Sequence, residues 1–182
     1  MNGIYAAKQD LRHRVHAARV TRADRMGQQF AEQLLDMPEI TDADAIGAFV
    51  GVQTEPDTTD FLVQCLVPVW LPVVNVDRLS WGLFKDHESL VPGPWGLHEP
   101  AEFVDQLPND ISALVVPALA CDLRGNRLGT GGGFYDRMFD NLDQLPFLIA
   151  VVFDEEIVDE VPTESFDVRV DAIVTPTRTV RI

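Results

Sequence analysis

Positive charge is scarce in this sequence: 14 Lys and Arg stand against 29 Asp and Glu, for a net charge of −15. A chain this acidic is excluded as a general nucleic-acid binder, because the phosphate backbone would repel it. Cysteine is scarce too. Cys65 and Cys121 are the 2 present, and they are too far apart to form a metal-ligand pair, so two free thiols in a reduced core are expected. No apolar run approaches the roughly 20 residues that cross a bilayer. None precedes the first charges as it would in a secretory signal. The expectation is a cytoplasmic protein with no membrane contact. Internal repeats, low-complexity tracts and dividing linkers are also missing, and 182 residues fit one domain, 1–182, with a substantial core.

The few cations are unevenly placed. Residues 1–25 hold Lys8, Arg12, Arg14, Arg19, Arg22 and Arg25 against Asp10 and Asp24. Six cations against two carboxylates leave +4 there and −19 over the rest. Such a segment is either a solvated basic helix or a grip for a small polyanion. Ala7, Leu11, Val15 and Ala18 recur at steps of three and four, which predicts a helix over 4–19 with Lys8 and Arg12 projecting from one side. His13 and His16 have no third ligand nearby and are expected to be exposed. Thr21 and Asp24 resemble a start signal for a second helix running to about Met37.

Short apolar runs at 45–50, 69–74, 79–84, 111–119, 147–153 and 172–175 read as strands, with helices over 59–66 and 134–142 between them. Pro68 and Pro72 favour an edge position for the second run. Strands interleaved with helices imply a single three-layer α/β/α domain with a mixed, mostly parallel, Rossmann-like sheet. Glu55 follows the first strand, where open α/β sheets place their ligands, although a solvated loop carboxylate would look the same in the sequence. Trp70, Trp81 and Phe84 are core residues or the wall of a pocket for a flat ring.

The most telling stretch is Arg127-Leu128-Gly129-Thr130-Gly131-Gly132-Gly133-Phe134-Tyr135-Asp136-Arg137. Its glycines let backbone N–H groups approach a ligand closely. At the mouth of a helix those groups and the dipole favour phosphate. Two arginines bracket the loop, and Asp136 offers the hard oxygen that Mg²⁺ prefers. No Gly-Lys-Ser/Thr is present, and Phe134 takes the third-glycine position of the dinucleotide fingerprint. The loop reads as phosphate-like but of another kind, the alternative being a flexible Gly-rich turn.

This block resembles the hallmark of the 5-formyltetrahydrofolate cyclo-ligase family, Arg-Leu-Gly-x-Gly-x-Gly-aromatic-Tyr-Asp. Four further family segments occur in the same order: Lys8-Gln9-Asp10-Leu11-Arg12, Glu55-Pro56-Asp57-Thr58, Gly96-Leu97-His98-Glu99-Pro100 and Asp167-Val168-Arg169-Val170-Asp171. Ala118, Cys121, Thr130 and Pro56 depart from the usual pattern without removing a charged group. The resemblance implies an ATP- and Mg²⁺-dependent enzyme that converts 5-formyltetrahydrofolate into 5,10-methenyltetrahydrofolate, releasing ADP and phosphate. By that pattern Lys8, Arg12, Arg127, Leu128, Gly129, Thr130, Gly131, Gly132, Gly133, Phe134 and Tyr135 bind ATP. Val50, Glu55 and residues 130–134 face the folate, and Asp136 and Asp171 hold Mg²⁺. Trp81 or Phe84 is a further candidate for stacking on the folate. No general base stands out. The implied partners are these small molecules alone, with no nucleic acid and no membrane, and the protein is expected to be a monomer. The competing expectation is a folate- or nucleotide-binding regulatory protein that has kept the scaffold.

Overall fold

A computed structural model describes residues 3–182. The helices are α1 (Gly3–Val20), α2 (Gly27–Leu35), α3 (Pro38–Thr41), α4 (Thr59–Gln64) and α5 (Phe134–Phe139). The strands through the first half are β1 (Ala45–Gly47), β2 (Val69–Asn75), β3 (Arg78–Leu83), β4 (Leu90–Pro92) and β5 (His98–Pro100). Those of the second half are β6 (Ile111–Pro117), β7 (Ala120–Asp122), β8 (Arg127–Leu128), β9 (Phe147–Val151), β10 (Ile157–Val158), β11 (Ala172–Val174) and β12 (Thr179–Arg181).

Seven strands form the main sheet in the order β12-β11-β9-β6-β1-β2-β3. Its four inner pairings are parallel, and an antiparallel strand closes each edge. β6 and β9 are almost wholly buried Val, Ile, Leu and Ala, the composition of strands covered on both faces. One face is covered by Phe30, Leu34, Ile40 and Phe61 from α2, α3 and α4. The other is covered by Leu107, Phe139 and Val170. The mixed, mostly parallel α/β class is therefore as expected, and the Rossmann likeness goes no further than that. No described helix is long and apolar enough to cross a membrane.

Several local expectations need correction. β2 is not at the edge, since β3 lies outside it. The Trp70 carbonyl accepts from Ala48, so by alternation the Pro72 nitrogen also faces β1, past the last β1 pairing at Gly47↔Trp70. The proline therefore removes no ladder bond. The second helix starts at Gly27, not near Thr21, because Met26 takes a left-handed φ of 57° and Asp24 Oδ1 accepts its N–H. The glycine loop does not follow β6 directly either. A hairpin, β7–β8, intervenes and joins β10 in a small sheet of its own. Cys121 is core, with its thiol pushed up to about 12 by burial, whereas Cys65 is only half-buried.

The hairpin turn is built on Asp122, whose buried carboxylate accepts from the N–H groups of Arg124, Asn126 and Val161 and from Asn126 Nδ2 at 2.8–3.1 Å. Burial opposes its ionisation, but these bonds outweigh it and hold the pKa at about 2. A folded pKa below the unfolded one stabilises the protein above the unfolded value and is lost as pH falls. Here the contribution is about 2 kcal/mol, disappearing between about pH 5 and pH 2. Urea unfolding of wild type and Asp122→Asn is expected to show a gap at neutral pH that narrows on acidification. A gap independent of pH would contradict this assignment.

α1 lies over the small sheet, packing Leu11 and Val15 on Leu119, Leu128 and Val161. It is locked by Arg19, which donates to both Glu156 oxygens at 2.6 and 2.7 Å and to the Ala118 carbonyl at 2.7 Å. Both side chains are buried, and breaking such a pair costs about 3–5 kcal/mol. The lock holds the first half of α1, with Lys8 and Arg12, over the C-terminal end of β6.

Candidate active site

Strand order reverses between β1 and β6: β2 follows β1 on one side, and β9 follows β6 on the other. Open α/β sheets form a crevice beyond the strand ends at such a switch. Here a cavity of about 710 Å³ opens there, lined by Val50 and Glu55 after β1, Pro117 at the end of β6, the glycine loop, and Lys8 and Arg12 of α1. A larger groove of about 1180 Å³ at the start of β6 and β9 contains none of the loop glycines, nor Lys8, Arg12, Arg127 or Glu55.

The cationic side of the cavity has three members. Arg12 Nε donates to the Gly129 carbonyl at 2.9 Å, and its guanidinium lies where a Cβ on Gly131 would come to 3.3 Å. Gly131 has φ +105°, a conformation that favours glycine, and an added Cβ would also crowd Arg12. Arg127 is 6% exposed. It donates Nη1 to the Pro117 carbonyl at 3.3 Å and Nη2 to Asp136 Oδ1 at 3.1 Å, while its Nε is buried with no partner among the described residues. Lys8, mostly buried, gives its ammonium to Asp167 at 2.6 Å and Glu164 at 3.2 Å. α5 begins after Gly133, which is left-handed and caps with no side chain, so the first-turn N–H groups stay open at the loop.

The opposite side is less charged. Glu55 is half-buried and accepts the Val52 N–H at 3.1 Å. Burial raises its pKa, with the Val52 bond and the charges of Arg19 and Arg25 pulling partly back. Val50, Leu71, Pro72 and Phe134 give apolar wall. Tyr135 is half-buried near Arg127, 5.8 Å from guanidinium to ring, and burial raises its hydroxyl pKa.

The fold thus gathers Lys8, Arg12, Val50, Glu55, residues 127–135 and Asp136 around one cavity. Asp171 is not part of its lining. Its carboxylate accepts the Leu148 N–H at 2.8 Å at the start of β9, because β11 enters the sheet from that end. The structure therefore does not bring Asp171 to the cavity wall beside Asp136. Trp81 is core, fully buried and paired with Val104 across the β3 edge. Phe84 packs edge-on against His87 at 5.2 Å. Neither lines the cavity, so the stacking role expected for them is corrected. The aromatic face comes instead from Trp95, 67% exposed and 5.9 Å from Phe134. A non-glycine residue at φ 55° has no local sequence signal, so the sequence does not point to Trp95. His13 and His16 are exposed as expected, although His16 borders the cavity and burial, then Arg19, lowers its pKa.

Among the described residues, Asp136 is the cavity carboxylate on α5, directly after the glycine loop. Asp136 is 37% exposed at the cavity and engages Arg127 through Oδ1. A carboxylate beside a glycine loop is the kind of hard oxygen ligand that Mg²⁺ prefers.

Comparison with known proteins gives the family. The model of the 5-formyltetrahydrofolate cyclo-ligase family matches residues 4–176. A 5-formyltetrahydrofolate cyclo-ligase from Mycolicibacterium smegmatis is 37% identical over 146 residues, covering 72% of this chain and 73% of the relative. One from Escherichia coli (strain K12) is 31% identical, covering 92% and 97%. Among solved structures, the 5,10-methenyltetrahydrofolate synthetase of Aquifex aeolicus superposes with a TM-score of 0.83 at 26% identity, covering 96% of this chain and 92% of its own.

Proposed function

The chain belongs to the 5-formyltetrahydrofolate cyclo-ligase family, and we propose that it closes 5-formyltetrahydrofolate to 5,10-methenyltetrahydrofolate at the expense of ATP. What supports the reading is one arrangement: three cations and a glycine loop on one side of a cavity, and a carboxylate with an apolar wall on the other. The first side suits a triphosphate and the second suits a pterin, whose amino and ring N–H groups donate to Glu55.

The chemistry explains the need for both. A formyl oxygen is a poor leaving group. Its lone pair attacks the γ-phosphorus, the bond to the bridging oxygen breaks and ADP leaves. N10 then attacks the activated carbon, forming the new C–N bond and releasing its proton. The C–O bond breaks with its electron pair on phosphate. Phosphoryl transfer asks mainly for alignment and charge neutralisation. Arg12 and Arg127 hold and neutralise the phosphates, with loop N–H groups completing the cradle. Lys8 joins them by exchanging its two carboxylates for phosphate oxygen. Asp136 would hold Mg²⁺, which supplies further neutralisation of the triphosphate. Asp171 lies outside the cavity lining, at the start of β9, and could join it only after a rearrangement there. The substrates are free small molecules, and the reading has a cytoplasmic monomer act on them.

Mixing the protein with Mg·ATP and 5-formyltetrahydrofolate is expected to raise near-ultraviolet absorbance as the methenyl product forms. Binding of both ligands without that rise would favour the regulatory binding protein. In the same assay Glu55→Gln is expected to raise the folate KM about tenfold, the loss of one charge-assisted hydrogen bond, with the ATP KM unchanged. Equal weakening of both substrates would argue against pterin contact.

A further inference from the structure

Glu55 is held in place from outside the cavity. The loop 51–58 is tied at its floor by Thr58, whose hydroxyl donates to the Phe49 carbonyl at 2.6 Å and accepts the Gly51 N–H at 3.0 Å. Within it, the Glu55 N–H reaches the Val52 carbonyl at 2.9 Å. The carbonyls of Gly51 and Glu55 point at one side chain. Arg25 donates Nε to the Glu55 carbonyl at 2.7 Å and Nη2 to the Gly51 carbonyl at 2.6 Å. The Arg25 main-chain carbonyl accepts the Asp57 N–H at 3.1 Å, and Nη1 lies 3.7 Å from Asp57 Oδ2. Arg25 is not in the cavity lining.

We propose that Arg25 is a positioning residue that fixes the 51–58 loop with the Glu55 carboxylate turned into the cavity, and so sets affinity for the folate without touching either substrate. The inference rests on the proposed function for its substrate, and on the loop geometry for everything else.

Two features show that the contact is built. The non-helical segment between α1 and α2 ends at the left-handed Met26, a conformation that costs a non-glycine residue about 1 kcal/mol, and beside it both the Arg25 carbonyl and its side chain face the loop. The loop also closes on itself so tightly that a Cβ on Gly51 would sit 1.9 Å from the Pro56 carbonyl oxygen and 3.1 Å from Arg25 Nη2. A planar fork can meet two carbonyls four residues apart at once; a lysine ammonium on a flexible stem cannot hold that geometry. Arg25 also acts electrostatically. The groups acting on Glu55 are the Arg19 and Arg25 guanidiniums and the Val52 N–H, with Tyr135 close by.

Arg25→Lys and Arg25→Gln test this together. Arg25→Lys is expected to raise the folate KM about tenfold, the equivalent of about 1.4 kcal/mol, with the ATP KM and saturating kcat within about twofold. Arg25→Gln is expected to do the same and also to move the acid limb of kcat/KM for folate to higher pH, because losing a nearby cation lets the Glu55 pKa rise. Arg25→Lys keeps the charge and leaves that limb where it was. Equal KM changes for both substrates, unchanged folate KM, or an unmoved limb in Arg25→Gln would overturn the proposal. Amide exchange across 51–58, measured without substrate, is expected to quicken about tenfold in Arg25→Lys for the same loss of loop restraint; unchanged exchange also overturns it. Quickened exchange in an enzyme whose wild type never turns over 5-formyltetrahydrofolate would instead sink the proposed function and leave the loop clamp standing.

Discussion

Replacing Arg127 with alanine is expected to lower kcat/KM for Mg·ATP by about a thousandfold, the scale of losing a cation placed on a transferring phosphoryl group. The side chain is 6% exposed, and two of its nitrogens are already used, on the Pro117 carbonyl and Asp136. The third, Nε, is buried with nothing to donate to among the described residues. A buried donor left unpaired costs about 1–3 kcal/mol. A protein that keeps one at the edge of a cavity is set up for an acceptor that arrives from outside. Arg127→Lys is expected to recover little of the loss, since a single ammonium nitrogen cannot occupy the separate positions of Nη1, Nη2 and Nε. The melting temperature of Arg127→Ala is expected to stay within a few degrees of wild type, because deletion removes the unpaired donor along with the pairs. Steady-state kinetics with varied Mg·ATP, beside a thermal melt, decide the matter. A variant within about threefold of wild type would remove Arg127 from phosphate binding.

Much of this site could be read from the residues, for a physical reason. Lys8 and Arg12 lie on a helix whose apolar spacing fixes its buried face, so their projection toward one side follows from period alone; the helix predicted over 4–19 is α1, Gly3–Val20. Gly131 and Gly133 stand at left-handed φ, which their identity already suggested. What escaped was non-local. Nothing near Arg25 or Arg19 says that one will reach the 51–58 loop and the other Glu156, across 137 positions. The β7–β8 hairpin was hidden because residues 113–120 form one continuous apolar run, and only tertiary packing divides it between two sheets. Trp81 and Trp95 show the same limit: both are tryptophans in strand-and-turn sequence, yet one is core and the other lines the cavity.

The two carboxylates that the family resemblance assigns to Mg²⁺ are expected to behave differently, and that contrast has the largest effect of all. Asp136→Asn keeps shape and a hydrogen-bond acceptor for Arg127 but removes the charge at the cavity. Its activity is expected to fall more than about a thousandfold, on the scale of losing metal-assisted phosphoryl transfer, and added Mg²⁺ at ordinary concentrations is not expected to restore it. Asp171→Asn should read as a structural change. Its carboxylate holds the Leu148 amide at 2.8 Å, and its main-chain carbonyl accepts Ile182 N–H at 2.9 Å, which ties the β11–β12 edge to the start of β9. An amide oxygen can still accept from Leu148, so the cost is about 1 kcal/mol of stability, with the Mg²⁺ dependence of ATP binding preserved. Calorimetric titration of ATP with and without Mg²⁺ separates the cases without relying on turnover. If Asp171→Asn abolished the Mg²⁺ enhancement, the Leu148 contact would have to be one that this carboxylate gives up when the nucleotide arrives. If Asp136→Asn kept the enhancement, the metal would have to be held elsewhere, and the placement of the phosphates along the glycine loop would fall with it.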